Sequence, residues 1–435
     1  MSIHHDSIHR QHSSQGFGAS VAFAAFVGYA LIFALNAVVA RILAPDQFGE
    51  FAAAVAMIGI ICTCATLGLE KYALRLLPQY IQERKLALVS GFLAFGVIIS
   101  VVLGAVIGFV GFKSYGAFKP HTNNIEEIAH MIWFAPAIAV FLFAVEIASA
   151  FGSFVWSAII YRVIFPLIAL GSMAALPLLT AKPTTADAIN VYGFSWIIAL
   201  GLMAILLLRS APRRLYRSKP MMIPRQWITE GVAYLGLSLL LTVFAQGAIL
   251  TTEVIRGDRV SVGLISAAMQ VSMLVVIVQT STLRVFGPQL ATLIARGDAV
   301  GERKLIWNRA RWMLLIGLLF MAAIVLYGRA ILSIFGESYT VAYPVLVVLS
   351  IGNTVNTVLG FSPTILQFHG AHKVTLRIAT IGTIIGVGSM SLAAAYGTHL
   401  EVAYAYSGSL ILMYLAFQVA AQIVSRRSAA TVPNA

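Results

Sequence analysis

Glu146 and Arg162 are the acid and the base set deepest in apolar sequence, the first between Val145 and Ile147 and the second between Tyr161 and Val163. A charge in hydrocarbon is costly unless it is paired or wetted, so each marks a candidate step in an ion or substrate pathway. Between them Gly152, Ser153 and Phe154 suit a tight turn. At about 1.5 Å per residue, Glu146 would lie roughly 8 Å and Arg162 roughly 10 Å from the ends of that turn. The two are therefore expected to pair across a helical hairpin. Such a pair either locks two helices together or works as a switch, in which Arg162 leaves for an anion while Glu146 takes up a proton.

Other candidates stand nearer the ends of apolar runs. Lys71 and Arg75 are four apart, hence on one helix face, where they could meet an anionic group at a membrane mouth. Arg284 follows another run, and an arginine there either lines a cavity or snorkels to the surface. Asn353 and Asn356, three apart, are candidate cleft lining, although such amides often bond to a neighbouring helix. Glu70, beside Lys71, reads as a solvated acid, and Arg41, Arg256 and Arg259 as anchors at the opposite surface. Cys62 and Cys64 fall two apart in one run and point to different sides, so neither a disulfide nor a metal site is expected. Walker A, HExxH, GxSxG and Asp-x-Asp patterns are all missing from the sequence, and no catalytic residue or cofactor is expected.

Elements that carry these groups must be membrane helices. Of 435 residues 60% are hydrophobic and 10% charged, which excludes a soluble globular chain. Twelve stretches are roughly long enough to cross a bilayer. In the first half they run Gly18 to Ala40, Phe51 to Leu69, Ala87 to Phe112, Met131 to Phe151, Val155 to Leu179 and Ala188 to Leu208. The second half has Val232 to Leu250, Val262 to Leu283, Met313 to Ile334, Val341 to Leu359, Ile378 to Tyr396 and Val402 to Ile423. The first is too long for a signal-peptide core and is expected to be retained. Net charge +13 could suggest nucleic acid. Instead, Lys and Arg fall in alternate connections at roughly three to one, which marks the cytoplasmic side and puts both termini there.

The connection 209–231 carries six basic residues and three prolines. It divides the chain into an N-lobe, 18–208, and a C-lobe, 232–423, with tails 1–17 and 424–435. The lobes echo each other: Leu77-Pro78-Gln79-Tyr80 follows the second span and Gly287-Pro288-Gln289-Leu290 the eighth. Six spans per lobe give both the same orientation, as in transporters with parallel repeats.

Arg41-Ile42-Leu43-Ala44-Pro45-Asp46-Gln47-Phe48-Gly49-Glu50, followed by Phe51-Ala52-Ala53-Ala54, resembles the "ARxLGPxxYGxYA" opening of the polysaccharide-export branch of the MOP flippase superfamily, with Ala44 for the usual Gly. Leu67-Gly68-Leu69, Pro288, Phe335-Gly336-Glu337-Ser338-Tyr339 and the run Leu366 to Gly370 extend the likeness along the chain. The resemblance implies an all-α, MATE-like membrane protein with two six-helix lobes around a central cleft. It also implies an inner-membrane flippase that moves an undecaprenyl-pyrophosphate-linked oligosaccharide, of O-antigen, capsule or exopolysaccharide type, to the periplasmic leaflet by alternating access. Expected partners are that lipid-linked oligosaccharide, membrane lipids, and a polysaccharide polymerase with its chain-length regulator, but no nucleic acid. Rival readings are an ion-coupled MATE-type multidrug exporter, which would carry more acids in its cavity, and a lipid II flippase, which usually has fourteen spans. An integral-membrane polymerase or ligase is the rival of another class, and the longest outer connection, Lys113 to His130, is short for one.

Overall fold

The computed structural model describes residues 3–118, 130–212, 215 and 218–431, with side chains except those of 3–22, 114–118, 284, 285 and 428–431. All regular structure among these residues is helical. The first half comprises α1 (Ile3–Ile42), α2 (Pro45–Ala65), α3 (Leu69–Gln82), α4 (Leu86–Phe118), α5 (Ala135–Ala148), α6 (Phe154–Ile159), α7 (Phe165–Leu179) and α8 (Thr185–Ser210). The second comprises α9 (Pro224–Thr251), α10 (Arg259–Ser272), α11 (Leu274–Ala295), α12 (Ala299–Leu332), α13 (Tyr343–Leu359), α14 (Ser362–Phe368), α15 (His372–Tyr396) and α16 (His399–Thr431). The described parts of both expected tails are drawn into helix, since α1 begins at Ile3 and α16 ends at Thr431.

Among the described residues ten helices are long and apolar enough to cross a membrane, or eleven if α10 and α11, bent by 42° at Met273, form one span. One of the ten, Ala135–Leu179, is folded back on itself. Gly152 breaks it with φ 88°, a left-handed conformation that glycine adopts without a Cβ clash. The Phe141 ring centroid then lies 5.9 Å from that of Tyr161, and both Phe141 and Phe165 contact the Trp196 ring, at 5.2 and 3.7 Å. On one straight helix Phe141 and Phe165 would be about 36 Å apart. Counting that hairpin as two spans recovers twelve, and the chain is a multi-pass membrane protein.

Helix starts follow ordinary chemistry. Pro45 opens α2 with Asp46 in its first turn. The Thr184 hydroxyl and Asp187 carboxylate form a reciprocal box at the start of α8, with the Thr184 hydroxyl donating to Asp187 Oδ2 at 2.8 Å. Asp258 and Asp298 cap α10 and α12 by accepting from the Ser261 and Gly301 amides.

Two compact units share the chain, one of Phe23–Gln246 and one of the segment before Phe23 together with the chain from Gly247, where the later boundary lies. That boundary falls inside α9, later than the basic connection at which sequence divides the lobes. In the first unit the connection is fastened down. Met221 N–H donates to the Ala87 carbonyl at 2.9 Å, and Gly91 leaves room for Met221, whose carbonyl oxygen would lie 1.9 Å from a Cβ there. Trp227 at the start of α9 is fully buried beside Phe92, Phe95 and Tyr80. In the second unit small residues let helices approach closely, Gly317 against Thr354, Gly352 against Ser407 and Gly382 against Met413. Outward faces are apolar, as on α4 at Val97, Ile98, Val101, Val102, Val106 and Phe109.

Candidate functional site

A cationic and aromatic cluster lies in the first unit. The turn between α6 and α7, Ile160–Ile164, is a π-helix, a wide turn that often marks functional positions, and it carries Tyr161 and Arg162. α1 lies directly on it. A Cβ at Gly28 would be 2.2 Å from the Arg162 carbonyl oxygen, so only glycine permits this approach. The Arg162 guanidinium, half-buried, sits 6.0 Å from the Tyr29 ring centroid and 5.7 Å from that of Tyr161. Two such cation–π contacts contribute about 0.5–2 kcal/mol each and leave the planar fork without a hydrogen bond to the described residues.

Glu146 does not pair with Arg162. Its Oε1 accepts from Lys71 Nζ at 2.5 Å, with the Lys71 side chain 48% exposed and that of Glu146 21%. The hairpin brings α5 and the π-turn together as expected, but Lys71 on α3 meets the acid first, because α3 packs against α5. No carboxylate among the described residues pairs with Arg162. An ion pair so exposed contributes about 0–1 kcal/mol, so a competing anion can open it. Tyr161 lies within electrostatic reach of Arg162, Lys71 and Glu146, which makes these residues one neighbourhood. Arg75, one turn beyond Lys71 on α3, is exposed and bonded to the Tyr234 hydroxyl.

The remaining candidates separate from this cluster. The Arg284 side chain lies outside the described residues. Asn353 is 2% exposed and donates to Ser272 Oγ at 2.9 Å, a bond from α13 to α10 that serves packing rather than cleft lining. Asn356 is half-buried, with Oδ1 lacking a partner among the described residues. Glu70 is buried rather than solvated. Cys62 donates weakly to the Ala135 carbonyl at 3.6 Å, and both thiols are free.

Sequence reasoning missed a buried charged face on α12. Glu302 and Arg309, at 6% and 1% exposure, fall between the eighth and ninth expected spans, in sequence that hydropathy alone leaves outside them. Glu302 Oε1 accepts from Ser425 Oγ at 2.8 Å and lies 3.1 Å from His369 Nε2, tying α12 to the end of α14 and to α16. The available signal was phase. Glu302, Arg309, Met313 and Gly317 recur at helical spacing and share one buried stripe, while Arg303, Lys304 and Arg311 face outward.

No protein-family model matches this chain, and no curated protein matches it. Solved structures do. An inward-facing multidrug resistance MATE family transporter of the MOP superfamily superposes with TM-score 0.78 at 13% identity, covering 95% of this chain and 99% of that one. An outward-facing structure of such a transporter gives 0.65 at 13% identity, with 96% and 97% covered. A Vibrio cholerae MATE transporter gives 0.63 at 13% identity, with 95% and 98% covered. At these identities the likeness is one of fold: the chain has the two-lobe helical architecture of MATE transporters.

Proposed function

We propose that this chain is an exporter of an anionic amphiphile, a flippase for an undecaprenyl-pyrophosphate-linked oligosaccharide in the inner membrane. The observation that carries the reading is Arg162, held between two tyrosine rings with its fork free of any carboxylate among the described residues. Lys71 stands in the same neighbourhood in a pair that an anion can open. Two cations against one acid suit a diphosphate, and tyrosine faces and hydroxyls suit a sugar. In the cycle, the diphosphate engages Arg162 and then Lys71, Glu146 is released to take up a proton, and alternating access delivers the cargo to the outer leaflet. Arg75 and Arg284 are the proposed approach to this site.

Ion-coupled multidrug export is the second reading, and the fold comparison favours it, since the matching transporters are themselves described as multidrug MATE proteins. A cationic drug would need Glu146 as its counter-charge, with Lys71 displaced. Deleting the gene in its host and extracting undecaprenyl-linked glycans separates the two. A completed repeat trapped on the cytoplasmic leaflet is the expected result. Polymer of normal amount and length, with heightened sensitivity to cationic dyes, would transfer the assignment to drug export.

A further inference from the structure

Arg309 is deeply buried in the second unit, and its guanidinium is used unevenly. Nη1 donates to the Val358 carbonyl at 3.4 Å, and the group lies 4.8 Å from the centroid of the Phe361 ring. Nε and Nη2 have no hydrogen-bond partner among the described residues. Those two nitrogens form the side edge of the fork, which presents parallel N–H groups to two oxygens of a carboxylate or phosphate. Capping accounts for the other edge. α13 ends at Leu359 and α14 begins at Ser362, so the span is broken there and the Val358 carbonyl is freed at a negative helix end. It leaves the Nε and Nη2 edge unexplained, and a buried charged donor without a partner is strongly unfavourable. Broken membrane helices are also where transporters commonly place their ligands. The Gln279 amide reaches the same break, where its Nε2 fills the space a Gly360 side chain would need.

We propose that Arg309 is a binding site for an oxyanion, a phosphate or carboxylate taken bidentately on Nε and Nη2, which opens when Phe361 moves off the guanidinium. Phe361 is 3% exposed and covers the group in the closed form. The site lies in a different unit from the Arg162 cluster and does not depend on which cargo that cluster carries.

Thermal unfolding of the full-length protein in maltoside micelles tests this, with decyl phosphate, decanoate and inorganic phosphate as probes. Decyl phosphate is expected to raise the melting temperature of the wild type. Arg309→Lys keeps the charge but loses the fork, and losing one charge-assisted hydrogen bond should weaken the apparent affinity roughly ten- to a hundredfold. Arg303→Lys, on the exposed side of α12, should bind as the wild type does. Phe361→Ala should bind more tightly, and it keeps the test alive if Arg309→Lys fails to fold. A shift with decyl phosphate alone identifies a lipid headgroup, one with inorganic phosphate a free ion, and one with decanoate a carboxylate. No shift with any probe overturns the site. So do equal shifts in wild type, Arg309→Lys and Arg303→Lys, or an unchanged affinity in Phe361→Ala. None of these results bears on the leaflet assay, so the two proposals fail separately.

Discussion

Arg162 and Glu146 flank one hairpin without being partners, Arg162 lying by Tyr29 and Tyr161 and Glu146 bonding to Lys71. Spacing alone suggested a shared depth on either side of Gly152, because helix rise converts residue count into height, whereas the ring contact across the hairpin joins Phe141 to Tyr161. Partner choice was not readable, because Lys71 comes from 75 positions earlier and only the packing of α3 on α5 puts it within 2.5 Å of the acid. Among the described residues Arg162 meets rings rather than a carboxylate, which on the proposed reading leaves its fork for two oxygens. Arg162→Lys keeps the positive charge and gives up the planar fork, so it should slow cargo translocation by about tenfold, with Arg162→Ala slower still. Under the proposed flippase function, the rate of appearance of lipid-linked glycan in the outer leaflet reads this. Normal rates in both variants would remove Arg162 from the pathway.

Breaks in helices explain what periodicity could and could not reveal. Apolar runs located the spans because lipid-facing and interior surfaces are both apolar, yet that same uniformity hides which face is which. Asn353 therefore read as lining and proved to be a bond between α13 and α10. Breaks recur at comparable places in the two halves. α2 gives way to α3 through Leu67 and Gly68, both at positive φ, and α10 gives way to α11 at Met273. Each continuation carries the Pro-Gln pair of the repeat, Pro78 in α3 and Pro288 in α11. Close approach matters as much as bending. Gly28 lets α1 lie on the π-turn that holds Arg162, and Gly28→Leu would force the two backbones apart. Overpacking of this kind typically costs about 1–3 kcal/mol, so the variant should melt earlier and lose transport out of proportion to its abundance. Wild-type transport in Gly28→Leu would mean that this contact does not set the arginine.

At the scale of the whole chain, charge asymmetry predicts sidedness. Lys182 lies in the connection before α8 and Lys219 in the basic connection before α9, both exposed. With Cys62 and Cys64 replaced by alanine, Lys182→Cys should react with an impermeant maleimide from outside intact spheroplasts, and Lys219→Cys only after permeabilisation. The reverse pattern would invert the topology and place both termini outside. The spans themselves were legible, since hydropathy acts along the chain. The compact-unit boundary inside α9 was not, because it depends on what Trp227 packs against. That packing has a practical consequence. Met221 and Trp227 both follow the masses of charge in the connection, yet both dock on helices that precede it. A chain severed just before Ser218 would therefore yield a C-terminal fragment that carries its own plug and an N-terminal fragment that keeps the socket, so the two could reassemble without the peptide bond that normally joins them.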